Sequence, residues 1–164
     1  MQNLKDLDLD KNLDRINEAI RSADQKVAVL LGFQGVLLTL IFPNATTLFS
    51  QTSNSFAIVT SILGLILLLA GITKSLMAII PRLNNKTGNI TFSYFGSIAQ
   101  RSFENFSEKV ETLSYENYRK NLIREIYDVS KIALAKYTNF RQSVIFFSIG
   151  MILLLAAYSF SLLR

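Results

Sequence analysis

A chain of 164 residues, half of them apolar and 18% charged, has room for one domain; its net charge is +5 and its mean hydropathy +0.32. With no Cys and no His, it can build no thiolate or imidazole metal site, no Cys nucleophile and no His-based triad. The charges stand apart from three apolar stretches, Val27 to Phe42, Phe56 to Ile80 and Ser143 to Leu163. That pattern predicts an all-α integral membrane protein with three transmembrane helices, an N-terminal amphipathic helix and a cytoplasmic helical segment.

Taken in order, residues 1–25 form a charged N-terminal segment without the character of a signal peptide, so the first apolar stretch is expected to stay as an anchor. Within it, Leu9, Leu13, Ile16 and Ile20 line one face of a helix over 3–25, while Asp6, Asp10, Asp14 and Glu18 fall elsewhere. Acidic and basic residues nearly balance here, which favours packing on protein, and the 116–140 segment offers an apolar partner. The first span, 26–42, is short for a hydrocarbon core of about 30 Å; Lys26 at its edge can snorkel. Pro43 is expected to break the helix and open a polar external hairpin over 43–55.

The second span, 56–80, carries Gly64, Ala70 and Gly71, small residues that admit a second backbone. A cytoplasmic region, 81–142, follows Pro81-Arg82. It contains a loop from Asn84 to Asn89, a short strand over 89–95 and a helix over 97–112. Ser114 is expected to cap a second helix, with Leu122, Ile126, Val129, Ala133, Tyr137 and Phe140 at steps of three and four. No Gly or Pro separates 115 from 149, so this helix is expected to continue unbroken into the third span, 143–163.

The orientation follows from the basic residues. Of 17 Lys and Arg, five precede the first apolar stretch at Val27 and ten lie between the second and third, while the 43–55 loop has no charged residue. Lys and Arg gather in cytoplasmic loops, which places the N-terminus and 81–142 on the cytoplasmic side of the membrane and the C-terminus outside. The surplus of positive charge fits this topology and contact with anionic membrane lipid, or an anionic ligand.

Four landmarks carry a family resemblance. Ala23-Asp24-Gln25-Lys26 leads into the first span, Pro81-Arg82 closes the second, Phe95-Gly96-Ser97-Ile98 opens the cytoplasmic helices, and Lys136-Tyr137 leads into the third. In this order and spacing the chain resembles the Pycsar transmembrane effectors of bacterial antiphage defence and the related SLATT-type proteins. The resemblance implies an effector in the bacterial inner membrane that impairs it through an oligomeric pore. Its trigger would be a nucleotide signal made by a partner nucleotidyltransferase or cyclase. In a related arrangement, the Hailong system, a channel effector is held shut by single-stranded DNA oligomers instead, so the alternative signal is an oligonucleotide.

For an anionic ligand the cytoplasmic candidates are Arg82, Lys86, Arg101, Lys109, Arg119, Lys120 and Arg124. Phe92, Tyr94, Phe95, Tyr115, Tyr118 and Tyr127 are interleaved with them. Cations meet phosphate, and flat rings or guanidinium planes stack on bases. An ordinary basic cytoplasmic loop would look the same. No phosphate-cradling Gly-rich loop is present. At the membrane border Asp24, two residues from Lys26, needs a cation from the 131–141 helix, so Asp24, Lys26, Lys136 and Tyr137 are candidates for gating or plain anchoring.

Inside the spans Gln34 stands out, because its amide cannot be satisfied by its own helix and must meet another helix or water. Three spans cannot enclose a conducting path, so a pore requires a homo-oligomer, with a tetramer favoured. A non-conducting scaffold that recruits a soluble partner and a ligand-independent, holin-like toxin remain as alternatives. The scattered carboxylates point away from catalysis, and no cofactor is expected.

Overall fold

A computed structural model describes residues 4–51, 55–80, 98, 99 and 101–162, with the backbone alone for 4–7, 42–51 and 162. Among the described residues four helices have defined bounds, in order α1 (Leu4–Gln51), α2 (Ser55–Ile79), α3 (Phe103–Glu111) and α4 (Tyr115–Leu162), and Ile98 and Ala99 are also helical. Three of them, α1, α2 and α4, contain stretches long and apolar enough to cross a membrane. Among the described residues there is no strand; the segment expected as one, 89–95, lies outside them.

Two expectations are corrected. Pro43 does not end the first helix, which continues to Gln51 and leaves only 52–54 between α1 and α2. Proline removes one N–H and so unpairs one carbonyl, that of Thr39, while the bonds on either side persist. Membrane helices tolerate such a site. The hairpin expected over 43–55 is correspondingly shorter, and α1 is long enough for a full crossing. The helix expected over 97–112 is interrupted: Ile98 and Ala99 are helical, the chain bends at Arg101, and a separate helix, α3, is capped by Ser102. Its hydroxyl accepts the Asn105 N–H at 3.3 Å, with Glu104 in the first turn and Lys109 in the last to complement the helix dipole.

The second cytoplasmic helix starts where its capping residue placed it. Ser114 Oγ accepts the Asn117 N–H at 3.4 Å and its carbonyl accepts the Tyr118 N–H at 3.0 Å. From there α4 runs without interruption into the third apolar stretch.

The chain divides into two compact units. One comprises residues up to Arg21 together with Pro81–Leu134. In it Leu9, Leu13, Ile16 and Ile20 are half-buried while Asp14 and Glu18 are exposed, the amphipathic pattern read from the sequence. Leu122 is buried, and Tyr118 donates its hydroxyl to Asp10 at 3.3 Å, which ties α4 to the start of α1.

The other unit comprises Ser22–Ile80 and Ala135–Arg164. On α2 the buried residues are Ala57, Ser61, Gly64, Leu68, Gly71, Ser75 and Ala78, alternating in steps of four and three along one face. Most are small, so backbones rather than long side chains meet there. The α4 face opposite has Ser143, Phe147, Gly150 and Ala157. Phe56 meets Phe160 edge-on at 5.4 Å, while Gly71 meets Ser143 and Phe147, so α2 and α4 run antiparallel. Phe33 of α1 meets Phe147 edge-on at 6.3 Å.

Candidate functional site: a polar cluster within the spans

Lipid hydrocarbon offers no hydrogen bonds, so a polar side chain inside a span must find partners in protein. Three threonines do so locally: Thr39, Thr60 and Thr73 donate to the carbonyls of Val36, Phe56 and Leu69. Gln34 has no such local option. It is fully buried, and its amide meets side chains of two other helices of the same chain.

Gln34 Nε2 donates to Ser143 Oγ at 3.0 Å, and Gln34 Oε1 accepts from Ser75 Oγ at 3.0 Å. The two hydroxyls lie 2.6 Å apart, and Ser143 Oγ also donates to the Gly71 carbonyl at 2.7 Å. One amide hydrogen and two hydroxyl hydrogens thus face four contacts, so a hydroxyl hydrogen is shared between acceptors. The cluster joins α1, α2 and α4. Ser75 and Ser143 were not among the residues read as functional from the sequence. The signal that could have found Ser75 is its place in the alternating small-residue face of α2.

At the edge of the same unit, Lys136 Nζ donates to Asp24 Oδ1 in an ion pair; the lysine side chain is 15% exposed and the aspartate 44%. Lys26 and Tyr137 are exposed nearby in sequence. Lys26 makes no ion pair among the described residues.

The cytoplasmic candidates are placed as follows. Arg82, Lys86, Phe92, Tyr94 and Phe95 lie outside the described residues. Lys109 is half-buried at the end of α3, and Arg101 and Arg124 are half-buried. Arg119 and Lys120 are exposed on the first turns of α4, and Lys120 pairs with Glu116 one turn back at 2.9 Å. Tyr118 is engaged with Asp10, and Lys131 sits over the Tyr127 ring at 4.1 Å, covering one stacking face. No group of His, Cys, Asp or Glu among the described residues could hold a metal ion.

Three membrane-length helices joined by buried glycines and a polar cluster define a small integral membrane protein. The chain belongs to the Pycsar effector protein domain family, whose model matches residues 8–163, and is thus a transmembrane effector of antiphage defence. It is also similar to the Pycsar effector protein SaPycTM of Staphylococcus aureus, at 27% identity over 150 residues that cover 90% of each chain. No solved structure matches it.

Proposed function

We propose that this effector is a homo-oligomeric membrane pore, gated at its cytoplasmic helices by a nucleotide or oligonucleotide that a partner cyclase or nucleotidyltransferase makes. The observation that carries the reading is the unbroken α4. A single helix carries Arg119 and Lys120, the exposed candidates for phosphate, together with Lys136 of the ion pair and Ser143 of the polar cluster.

In this reading the shut state is the one in which Gln34, Ser75 and Ser143 satisfy one another and Asp24 holds Lys136. Polar groups are costly within hydrocarbon, so separating the three spans needs either a ligand that favours the separated form or water that replaces the lost bonds. Tight binding alone is not enough, because a ligand with equal affinity for both forms shifts nothing.

Oligomerisation is supported by the first span. Only 11% of its most apolar window is buried within one chain, against 33% and 28% for the other two. Gly32 and Gly35 have open space where a Cβ would project, whereas Gly64, Gly71 and Gly150 each touch another helix. The N-terminus and the 81–142 region are placed inside the cell and the C-terminus outside, on the distribution of Lys and Arg.

Ion flux from the purified protein in liposomes, with and without cyclic nucleotides and short oligonucleotides, tests the reading. A gated pore gives flux that changes with ligand. Flux indifferent to ligand marks a toxin, and no flux under any condition marks a scaffold.

A further inference from the structure

Between α1 and α4, on the membrane-spanning unit, an open groove of about 450 Å³ is lined by Gln25, Lys26, Val29, Leu30, Phe33 and Phe140. Its volume is within the range of about 300–1,000 Å³ typical of small-molecule sites. The composition is polarised along the helix axis, with Gln25 and Lys26 at one end and only apolar side chains beyond them. From Lys26 to Phe33 the helix rises about 10 Å, which is within one leaflet of a hydrocarbon core of about 30 Å. A cation at headgroup height above an apolar trough has the shape of a lipid, with the phosphate at one end and the acyl chain at the other.

We propose that this groove binds one anionic glycerophospholipid of the leaflet that Lys26 faces. The phosphate sits at the Lys26 ammonium with the Gln25 amide as a second donor, and an acyl chain lies along Val29, Leu30, Phe33 and Phe140. The inference needs the chain to span a bilayer but does not need it to conduct.

Charge selects this occupant over a second copy of the chain. Lys136 is already neutralised by Asp24, whereas Lys26 is exposed and makes no ion pair among the described residues. No Asp or Glu occurs between Gln25 and Phe103, or after Asp128. At the height of Lys26 a neighbouring copy therefore has only its own Asp24 to offer, and that carboxylate is engaged. A lipid phosphate supplies the missing anion, and an anionic headgroup adds no ammonium of its own to oppose the lysine.

The chain contains no Trp, so Phe140→Trp introduces a unique fluorophore into the wall of the groove. The full-length variant is reconstituted in phosphatidylcholine vesicles holding equal fractions of either brominated phosphatidylglycerol or brominated phosphatidylcholine. Brominated phosphatidylglycerol is expected to quench with an apparent affinity about fivefold higher, the worth of one basic residue beside an anionic lipid. Lys26→Gln abolishes the preference and Lys26→Arg keeps it. Val36→Trp, exposed and outside the groove, shows none.

Equal quenching by the two lipids overturns the proposal, as does a preference that survives Lys26→Gln or appears equally at Val36→Trp. Quenching that disappears as the protein-to-lipid ratio rises overturns it in favour of a second copy. Phe33→Trp gives the same reading from the α1 wall if the Phe140 variant fails to insert.

Discussion

Gly150 and Gly64 face each other so closely that a Cβ added to Gly150 would stand 2.8 Å from the Gly64 carbonyl oxygen. The obstacle is backbone, which cannot turn aside as a side chain can, so a methyl group there must push α2 and α4 apart. Gly150→Ala is expected to cost about 1–3 kcal/mol, as overpacking does. Gly32→Ala and Gly35→Ala project into open space and should stay within about 0.5 kcal/mol of the parent. Thermal unfolding of monomeric protein in detergent, followed by circular dichroism, checks the ranking.

The polar cluster predicts an inverted order of severity. Gln34→Leu removes the largest polar group, yet Ser75 can then turn its hydrogen wholly to Ser143, which still donates to the Gly71 carbonyl. Ser143→Ala instead strips the amide nitrogen of Gln34 of its acceptor in a fully buried position. Ser143→Ala is expected to cost about 1 kcal/mol or more, typical of hydrogen bonds between membrane helices, and Gln34→Leu less than half as much. The same unfolding measurement decides it, and a larger loss for Gln34→Leu would show that Ser143 finds no compensating bond.

Much of this arrangement is legible in the amino-acid sequence. The three spans follow from apolar length, the unbroken α4 from the lack of Gly and Pro between 115 and 149, and its start from the capping capacity of Ser114. The local bonding of Thr39, Thr60 and Thr73 follows from where a short hydroxyl can reach. Other features were hidden for physical reasons. A proline lowers the stability of a helix without forbidding it, so the continuation past Pro43 depends on what surrounds the segment. Gln34 announces a need for partners but not their direction. A serine that will bond across helices looks the same in sequence as one that bonds to its own turn.

The Asp24–Lys136 pair has unequal partners. The lysine is mostly buried and the aspartate nearly half exposed, so removing the aspartate strands an ammonium that water reaches poorly. Removing the lysine leaves a carboxylate that water can solvate. Asp24→Asn should therefore destabilise more than Lys136→Met, by about 1 kcal/mol once solvent screening of the exposed partner is allowed for. The exchange Asp24→Lys with Lys136→Asp is expected to recover part of the loss, which unfolding of the four proteins as a double-mutant cycle measures.

Topology can be read with single cysteines, because the chain has none of its own. Leu48→Cys is expected to react with a membrane-impermeant maleimide in intact spheroplasts, and Asn105→Cys only after the membrane is opened. The reverse pattern would invert the assignment that the basic residues support.

Ligand binding offers the last test, and it separates charge from fold. Arg119 and Lys120 are exposed on the first turns of α4, so reversing their charge removes no buried apolar contact. Lys120 already pairs with Glu116, one turn back, and an exposed pair of this kind is weak and easily exchanged for a phosphate. The double variant Arg119→Glu with Lys120→Glu is expected to weaken binding of a cyclic nucleotide by at least about tenfold, since each cation lost from a phosphate contact removes a charge-assisted bond and each acid added repels the ligand. Glu116→Gln frees Lys120 and should strengthen binding slightly. Calorimetry on the detergent-solubilised protein at two salt concentrations measures both effects. If the affinity of the double variant is unchanged while its helicity is intact, the ligand site lies away from the start of α4.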